Sequence, residues 1–246
     1  MSTNRPHPPS GLKAVLVAMR TTTAGAPRGR RLAGLLLLVG LPVAISVLVV
    51  LYGEGGRGTG FGNFARMSKG VYFGLIMPLA LIFLGTGAFA DEWAGGTAHY
   101  VVGQPISRLA LVTGRWLATV RRALMLVLPA MALVYLLQLG RFGGETIAHY
   151  AGDLLVVLGM VAVLSMAYAA IFLQFGLLFK RSIVWSLVYV LLSEFMVSKL
   201  PQSVAMVSLD FHARNVIWQL TGASEFQPLS LSPDQFDPIR VWVSCA

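Results

Sequence analysis

The residues that invite a chemical reading lie in three places. The first is the run Asp91-Glu92-Trp93-Ala94-Gly95-Gly96-Thr97-Ala98-His99-Tyr100-Val101-Val102-Gly103-Gln104-Pro105-Ile106-Ser107-Arg108, followed by Gly114-Arg115-Trp116. Asp91 and Glu92 close an apolar block. Gly95-Gly96 permits a turn, and Tyr100-Val101-Val102 is a short apolar face. Gln104-Pro105 breaks any helix, because the residue before a proline avoids the α region. Ser107 is placed to cap a new helix. A short, partly apolar element held between two apolar blocks suits the docking of a soluble partner and the transmission of its motion. The second place is Glu194, the one acid inside an apolar block. A charge at the centre of a bilayer costs about 2.5–3.5 kcal/mol on insertion scales, so such an acid is read as functional by default. It follows Arg181 by 13 residues, roughly 20 Å along a helix, which puts it in the outer half of a span. It lines a pathway, or it is a structural acid bonded near His212 or Arg214. The third place is Gly58-Thr59-Gly60-Phe61-Gly62. No strand precedes it and no Lys-Ser/Thr follows, so it is a flexible glycine-rich loop within Gly53–Lys69 and not a phosphate cradle.

Catalytic constellations are missing from the sequence. It has no G-x-S-x-G elbow, no H-E-x-x-H and no clustered aspartates for lipid phosphotransfer, so an enzyme is not expected. The single cysteine, Cys245, allows neither an intrachain disulfide nor a cysteine-based metal site. His7, His99, His149 and His212 are scattered without ligand spacing. The net charge of +9 could indicate nucleic acid, but no basic patch is interleaved with aromatics, and no nucleic-acid partner is expected.

The elements that position these residues are read from composition. Of the 246 residues, 56% are hydrophobic and 12% charged, about half the charge of a soluble domain. Crossing about 30 Å of hydrocarbon takes about 20 apolar residues as helix. Leu32–Tyr52, Gly70–Ala90, Ala123–Gly140 and Leu154–Phe179 carry no charge, and Pro129 is expected to kink the third. Ser182–Ser198, tied to the fourth through Lys180-Arg181, makes a fifth span carrying Glu194. The expected architecture is an all-α polytopic bundle of about five spanning helices. It forms one domain over 1–246: a tail at 1–31, a bundle at 32–200 and an external segment at 201–246. In that last segment Pro201, Pro228, Pro233 and Pro238 limit helix length.

Residues 1–31 are polar and basic, and the block that follows is too long for a signal-peptide core, so no cleaved signal is expected. Within the tail, Ser10–Thr21 places Leu12, Val15, Leu16 and Met19 at i, i+3, i+4 and i+7, with Lys13 and Arg20 off that face. This is the pattern of an amphipathic helix lying in the membrane interface.

The cytoplasmic loop resembles a known family. Glu92-x-x-x-Gly96-Thr97, then Pro105-x-Ser107-Arg108, then Gly114-Arg115, looks like the coupling segment of type-2 ATP-binding-cassette (ABC) exporter permeases. The resemblance runs from about Ser10 to Arg214 and includes the basic amino-terminal helix, Phe179-Lys180-Arg181-Ser182 and Glu194-Phe195…Leu200-Pro201. It is nearest the group that includes permeases for copper-enzyme maturation, gliding motility and drug resistance. Two features depart from the family. Its sixth spanning helix would begin about where this chain stops, at Val241–Ala246, and the amino-terminal helix lacks an acidic residue among its basic ones.

The resemblance implies a permease half that pairs with a second copy or a homologue and lines an export pathway. Glu92, Gly96, Thr97, Tyr100, Pro105, Ser107 and Arg108 would couple that pathway to a separate nucleotide-binding subunit. No G-x-x-x-x-G-K-[S/T] is present, so no cofactor is expected in this chain; ATP and Mg would be bound by the partner subunit. The rival readings are a non-transporting membrane scaffold driven by an ATPase and a polytopic membrane enzyme.

Orientation follows from Lys and Arg placement. Of 19 such residues, Arg5, Lys13, Arg20, Arg28, Arg30, Arg31, Arg108, Arg115, Arg121, Arg122, Lys180 and Arg181 fall on one side. Arg57, Arg66, Lys69, Arg141, Lys199, Arg214 and Arg240 fall on the other. The first group sits in short segments near helix ends, so the positive-inside rule puts the amino terminus in the cytoplasm; a bacterial inner membrane is what the family resemblance implies. Reporter fusions test this: a periplasm-dependent enzyme should be active when fused at Ser230 and silent at Arg28. Activity at Arg28 would reverse the topology.

Overall fold

Apolar blocks too long and too continuous for a water-facing helix dominate the chain, and each of them is helical. The structure is a computed structural model that describes residues 11–24, 30–52, 60–94, 107–196 and 208–226; every regular element among them is a helix. In chain order these are α1 (Gly11–Ala24), α2 (Arg30–Tyr52), α3 (Gly60–Met67), a π-helical stretch (Ser68–Ile76) and α4 (Met77–Ala94). Then follow α5 (Arg108–Gly140), α6 (Gly144–His149), α7 (Ala151–Leu178), α8 (Ser182–Val190) with a π-helical continuation (Leu191–Met196), α9 (Leu209–Thr221) and a 3-10 turn (Ser224–Phe226).

Four helical runs are long and apolar enough to cross a membrane: Leu32–Tyr52, Gly60–Gly87, Arg108–Gly140 and Ala151–Leu178. The fold is therefore a transmembrane helical bundle, and the chain is a multi-pass membrane protein. The expected fifth span is the nine residues of α8 continued by six π-helical residues. That run is shorter than the roughly 20 residues a perpendicular crossing takes, and residues 197–207 lie outside the described residues.

The run α3–π–α4 is the centre of the bundle: 61% of its apolar window is buried, against 22% for α2 and 39% for α5 and α7. α2 touches the bundle through a single stripe, Leu35, Val39, Pro42 and Ser46. Leu36, Leu37, Leu48 and Leu51 on its other sides are exposed. So many exposed leucines would form an oversized apolar patch in water. Lipid tails are as apolar as leucine and solvate them without penalty.

Contacts fix the directions of the rods. Gly85 lies against Phe172 and Gly176 against Thr86, so α4 and α7 run parallel. Trp116 Nε1 donates to the Met166 carbonyl at 3.0 Å, and Tyr135 Oη to the Ile147 carbonyl at 2.7 Å, so α5 and α7 run antiparallel. The carboxyl ends of α2 and α5 meet where Arg141 donates to the Val49 carbonyl at 3.3 Å. The bundle thus has a near end, with Ala94, Arg108 and the Phe179–Ser182 turn, and a far end, with Tyr52, Gly60 and Arg141–Tyr150.

One expectation is overturned. The glycine-rich segment was expected to be a loop as far as Lys69, but from Gly60 onward it is helix, with Phe61, Phe64 and Ala65 buried. Phe61, Phe64, Ala65 and Ser68 recur at i, i+3, i+4 and i+7, an apolar helical face that outweighs the weak helix propensity of Gly60 and Gly62. Phe61 stacks on Tyr150 with centroids 4.6 Å apart, and Phe64 meets Tyr135 edge-on at 5.2 Å. The second span accordingly begins ten residues, nearly three turns, before Gly70. The π-helical stretch sits just ahead of Pro78, and the Met77 N–H bonds the Tyr72 carbonyl five residues back. A proline ring collides with the carbonyl four residues before it, and widening the preceding turn relieves that collision.

Close approach of α4 and α7 depends on glycine. A Cβ on Gly176 would sit 3.1 Å from the Thr86 carbonyl oxygen, whereas one on Gly159 of the same helix would meet nothing within 4 Å. Gly176→Val is expected to lower stability by about 1–3 kcal/mol through overpacking, with Gly159→Val changing little. Thermal unfolding of both variants in detergent checks this, and equal midpoints would show that the approach is not tight.

Candidate functional site

The near end is organised by α5, a helix of 33 residues. At about 1.5 Å per residue it is about 50 Å long, well beyond the roughly 30 Å of hydrocarbon. Its first half holds Arg108, Arg115, Arg121 and Arg122, and Ala123–Gly140 holds no charge. The surplus length therefore belongs to the near end.

Ser107 starts this helix as expected. Its backbone is extended (φ −61°, ψ 141°), its Oγ accepts from the Ala110 N–H at 3.2 Å, and its carbonyl accepts from the Leu111 N–H at 3.0 Å. The Oγ contact engages one of the amide donors left open at a helix start, and the Leu111 bond is the first of the regular ladder. Arg108, the first helical residue, is exposed.

α1 is strapped along the first half of α5. A Cβ on Gly114 would lie 2.6 Å from the Ala18 Cβ and 2.8 Å from the Val15 carbonyl oxygen, so the helices touch backbone to backbone there. Further along, Arg122 donates to the Thr22 carbonyl. Arg115, one residue past the contact glycine, is buried. Ala14 and Ala18 of α1 are buried, and Leu12 and Leu16 of its expected apolar face are exposed together with Val17. Small side chains let backbones approach in a membrane bundle, so the alanine face packs on α5 and the leucine face is left outside.

The other expected site residues are placed as follows. Glu92 lies in the last turn of α4. Gly96, Thr97, Tyr100 and Pro105 fall in residues 95–106, outside the described residues. The described ends on either side of them, Ala94 of α4 and Ser107 before α5, both lie at the near end. Glu194 is on the π-helical stretch Leu191–Met196. The structure thus gathers Glu92, Ser107 and Arg108 at one end of the bundle and leaves Glu194 on a separate helix.

A second polar cluster occupies the far half. α9 is capped by the Ser208 Oγ, which accepts from the Phe211 N–H at 3.3 Å, and closes at Gly222 (φ 67°). It packs against α7 and the π-helical stretch of the central rod. Asp210 and Arg214, both buried, form an ion pair one turn apart, which fits the rule that charges removed from water are paired. Gln219 donates to Asn215 at 3.0 Å, and Lys69 Nζ donates to the Glu225 carbonyl at 2.9 Å. Arg66, Lys69, Gly70 and Glu225 line an open cavity of about 500 Å³. Arg214 is paired with Asp210, and the side chain of Glu194 lies outside the described residues.

Sequence reasoning did not single out α9, the α1–α5 contact or the buried Arg115. α9 has a readable frame, since Ser208 precedes the periodic residues and Gly222 follows them. Ala14, Ala18 and Gly114 are the small-residue signal for the α1–α5 contact. Compared with protein-family models, curated proteins and solved structures, the chain matches none.

Gly114→Val is expected to lift α1 off α5, because its branched side chain has no room against the Val15 and Ala18 backbone. Hydrogen exchange should then rise at least several-fold across Gly11–Ala24 while the core of α7 stays protected. Unchanged exchange in α1 would show that the contact does not hold the helix.

Proposed function

We propose that this chain is the membrane-spanning permease subunit of an ABC exporter in a bacterial cytoplasmic membrane, with its near end in the cytosol. It pairs with a second copy or a homologue to form the pathway, and a separate ATPase subunit supplies the energy. The observation that carries the reading is the frame around residues 95–106. α4 delivers Asp91 and Glu92 to the near end, and α5 departs from a capped Ser107 as one uninterrupted helix to the far end. A partner gripping the segment between them acts directly on a rod that traverses the bundle. The strap of α1 along α5 braces that rod over the stretch nearest the partner. The sequence motif supplies the family, and the rigid connection supplies the reason such a motif would couple.

In this reading Tyr100 is an apolar anchor in a groove of the ATPase, and the exposed Arg108 pairs with an acidic surface there. Glu92, Gly96, Thr97 and Pro105 fix the shape of the segment. Losing a buried interface anchor costs about 2 kcal/mol or more, about 30-fold in affinity. Tyr100→Ala and Arg108→Glu should therefore each reduce co-purification of the tagged ATPase and ATP-driven transport, while the permease remains inserted and thermally stable. Full recovery of the ATPase with both variants would leave residues 95–106 a simple connector and remove the main support for the assignment.

A further inference from the structure

Between α1 and α5, on the outer side of the bundle, runs an apolar groove of about 460 Å³. Met19 forms its α1 wall, and Leu117, Val120, Leu124 and Leu128 form its α5 wall. Pro129 closes one end, and among the described residues Arg121 is the only charged one that lines it. From Arg121 to Pro129 the groove follows α5 for about 12 Å.

We propose that this groove is a binding site for an anionic phospholipid, with the phosphate on Arg121 and an acyl chain laid along Leu124 and Leu128. Three observations choose this occupant. Charge complementarity is the first: Arg121 is exposed, and among the described residues no carboxylate pairs with it. Its neighbour Arg122 is engaged with the Thr22 carbonyl and adds a second positive charge beside it. Direction is the second. The charge stands at the near end, and the apolar wall extends from it into Ala123–Gly140, which carries no charge. A lipid in the near leaflet has this same order of anion and chain. Shape is the third. Pro129 has no N–H to bond the Met125 carbonyl and loosens α5 at the groove's end, and the α1 wall turns an open helix face into a channel. A zwitterionic lipid would fill the channel but meet less net attraction at Arg121, and a soluble anion would gain nothing from the apolar wall. The site rests on the membrane-embedded bundle alone and does not depend on the transport proposal.

The test uses the full chain in detergent, stripped of endogenous lipid and titrated with phosphatidylglycerol or phosphatidylcholine of the same acyl chains. Native mass spectrometry reads the bound lipid. The wild type should retain phosphatidylglycerol in preference to phosphatidylcholine. Arg121→Ala should weaken phosphatidylglycerol by about fivefold, the worth of one basic residue near an anionic surface, and leave phosphatidylcholine unchanged. Leu124→Trp, which fills the channel, should weaken both lipids, and Arg66→Ala at the far half should weaken neither. If Arg121→Ala is not recovered folded, Arg121→Gln keeps most of the stem and gives the same reading. Equal retention of the two lipids by the wild type would overturn the proposal. So would undiminished phosphatidylglycerol binding in the Arg121 variants, or displacement by glycerol phosphate as effective as by the intact lipid.

Discussion

Burial of the central rod from Gly60 to Gly87 is the constraint around which the other helices are arranged. Helices in hydrocarbon gain nothing by hiding leucine from lipid, so close fit and internal hydrogen bonding decide which faces meet. The rod offers that fit along its length. Phe61 and Phe64 interlock with Tyr150 and Tyr135 at the far end, and Gly85 and Thr86 admit α7 near the other. Where Pro78 would collide with the preceding turn, the helix widens into a π stretch instead of breaking. Two of the buried hydroxyls are satisfied along their own helices: Thr86 and Ser165 each return a hydrogen bond to the carbonyl one turn back.

α5 is the second structural axis because it outruns the membrane. Its charge-free half belongs to the spanning bundle, and its arginine-rich half to the near end with α1. Each half is held differently. The far half is fixed by the Tyr135–Ile147 bond and the Arg141–Val49 bond. The near half is fixed by a glycine–alanine backbone contact and by Arg122 on the Thr22 carbonyl. The exposed leucines of α1 then face outward, consistent with a helix that has one side on protein and the other on lipid.

Much of the fold was legible in the sequence because the membrane writes it in long uncharged runs. Leu32–Tyr52, Ala123–Gly140 and Leu154–Phe179 needed only length and charge, and Ser107 needed only cap chemistry. Gly60–Met67 was not legible because five glycines in Gly53–Gly60 read as a loop, while the phenylalanine face that makes it helical is satisfied by Tyr135 and Tyr150, far away in sequence. The leucines marked the apolar side of α1, but Ala14 and Ala18, which pack on protein, carry no hydrophobic signal, because small residues serve close approach in lipid. α9 was obscured by its charge, since Asp210 and Arg214 look like surface residues until each is seen to neutralise the other. Of the candidate site, Ser107 and Arg108 were legible locally. How the segment between Ala94 and Ser107 would meet another subunit is not encoded in any single-chain pattern.

The two polar regions differ in a way that bears on how such a bundle could work. In the far half, charges are taken up within the chain: Asp210 by Arg214, and Lys69 by the Glu225 carbonyl. Near the start of α5, Arg108 and Arg121 are exposed, while Arg115 is buried and Arg122 makes an internal contact with α1. A region whose charges are satisfied internally is stiffened by them, and one whose charges project outward is suited to partners. On the transport reading, the partner's work enters through the exposed end of α5 and arrives at a far half already braced by its own ion pair and aromatic stacks. The helix between them keeps its hydrogen-bond ladder except at Pro129. A rigid rod can tilt as a body or bend at that one weakened turn, and the apolar groove lies alongside it. Whatever occupies the groove therefore sits where it would resist the bend, and lipid binding and mechanical coupling would share the same stretch of α5.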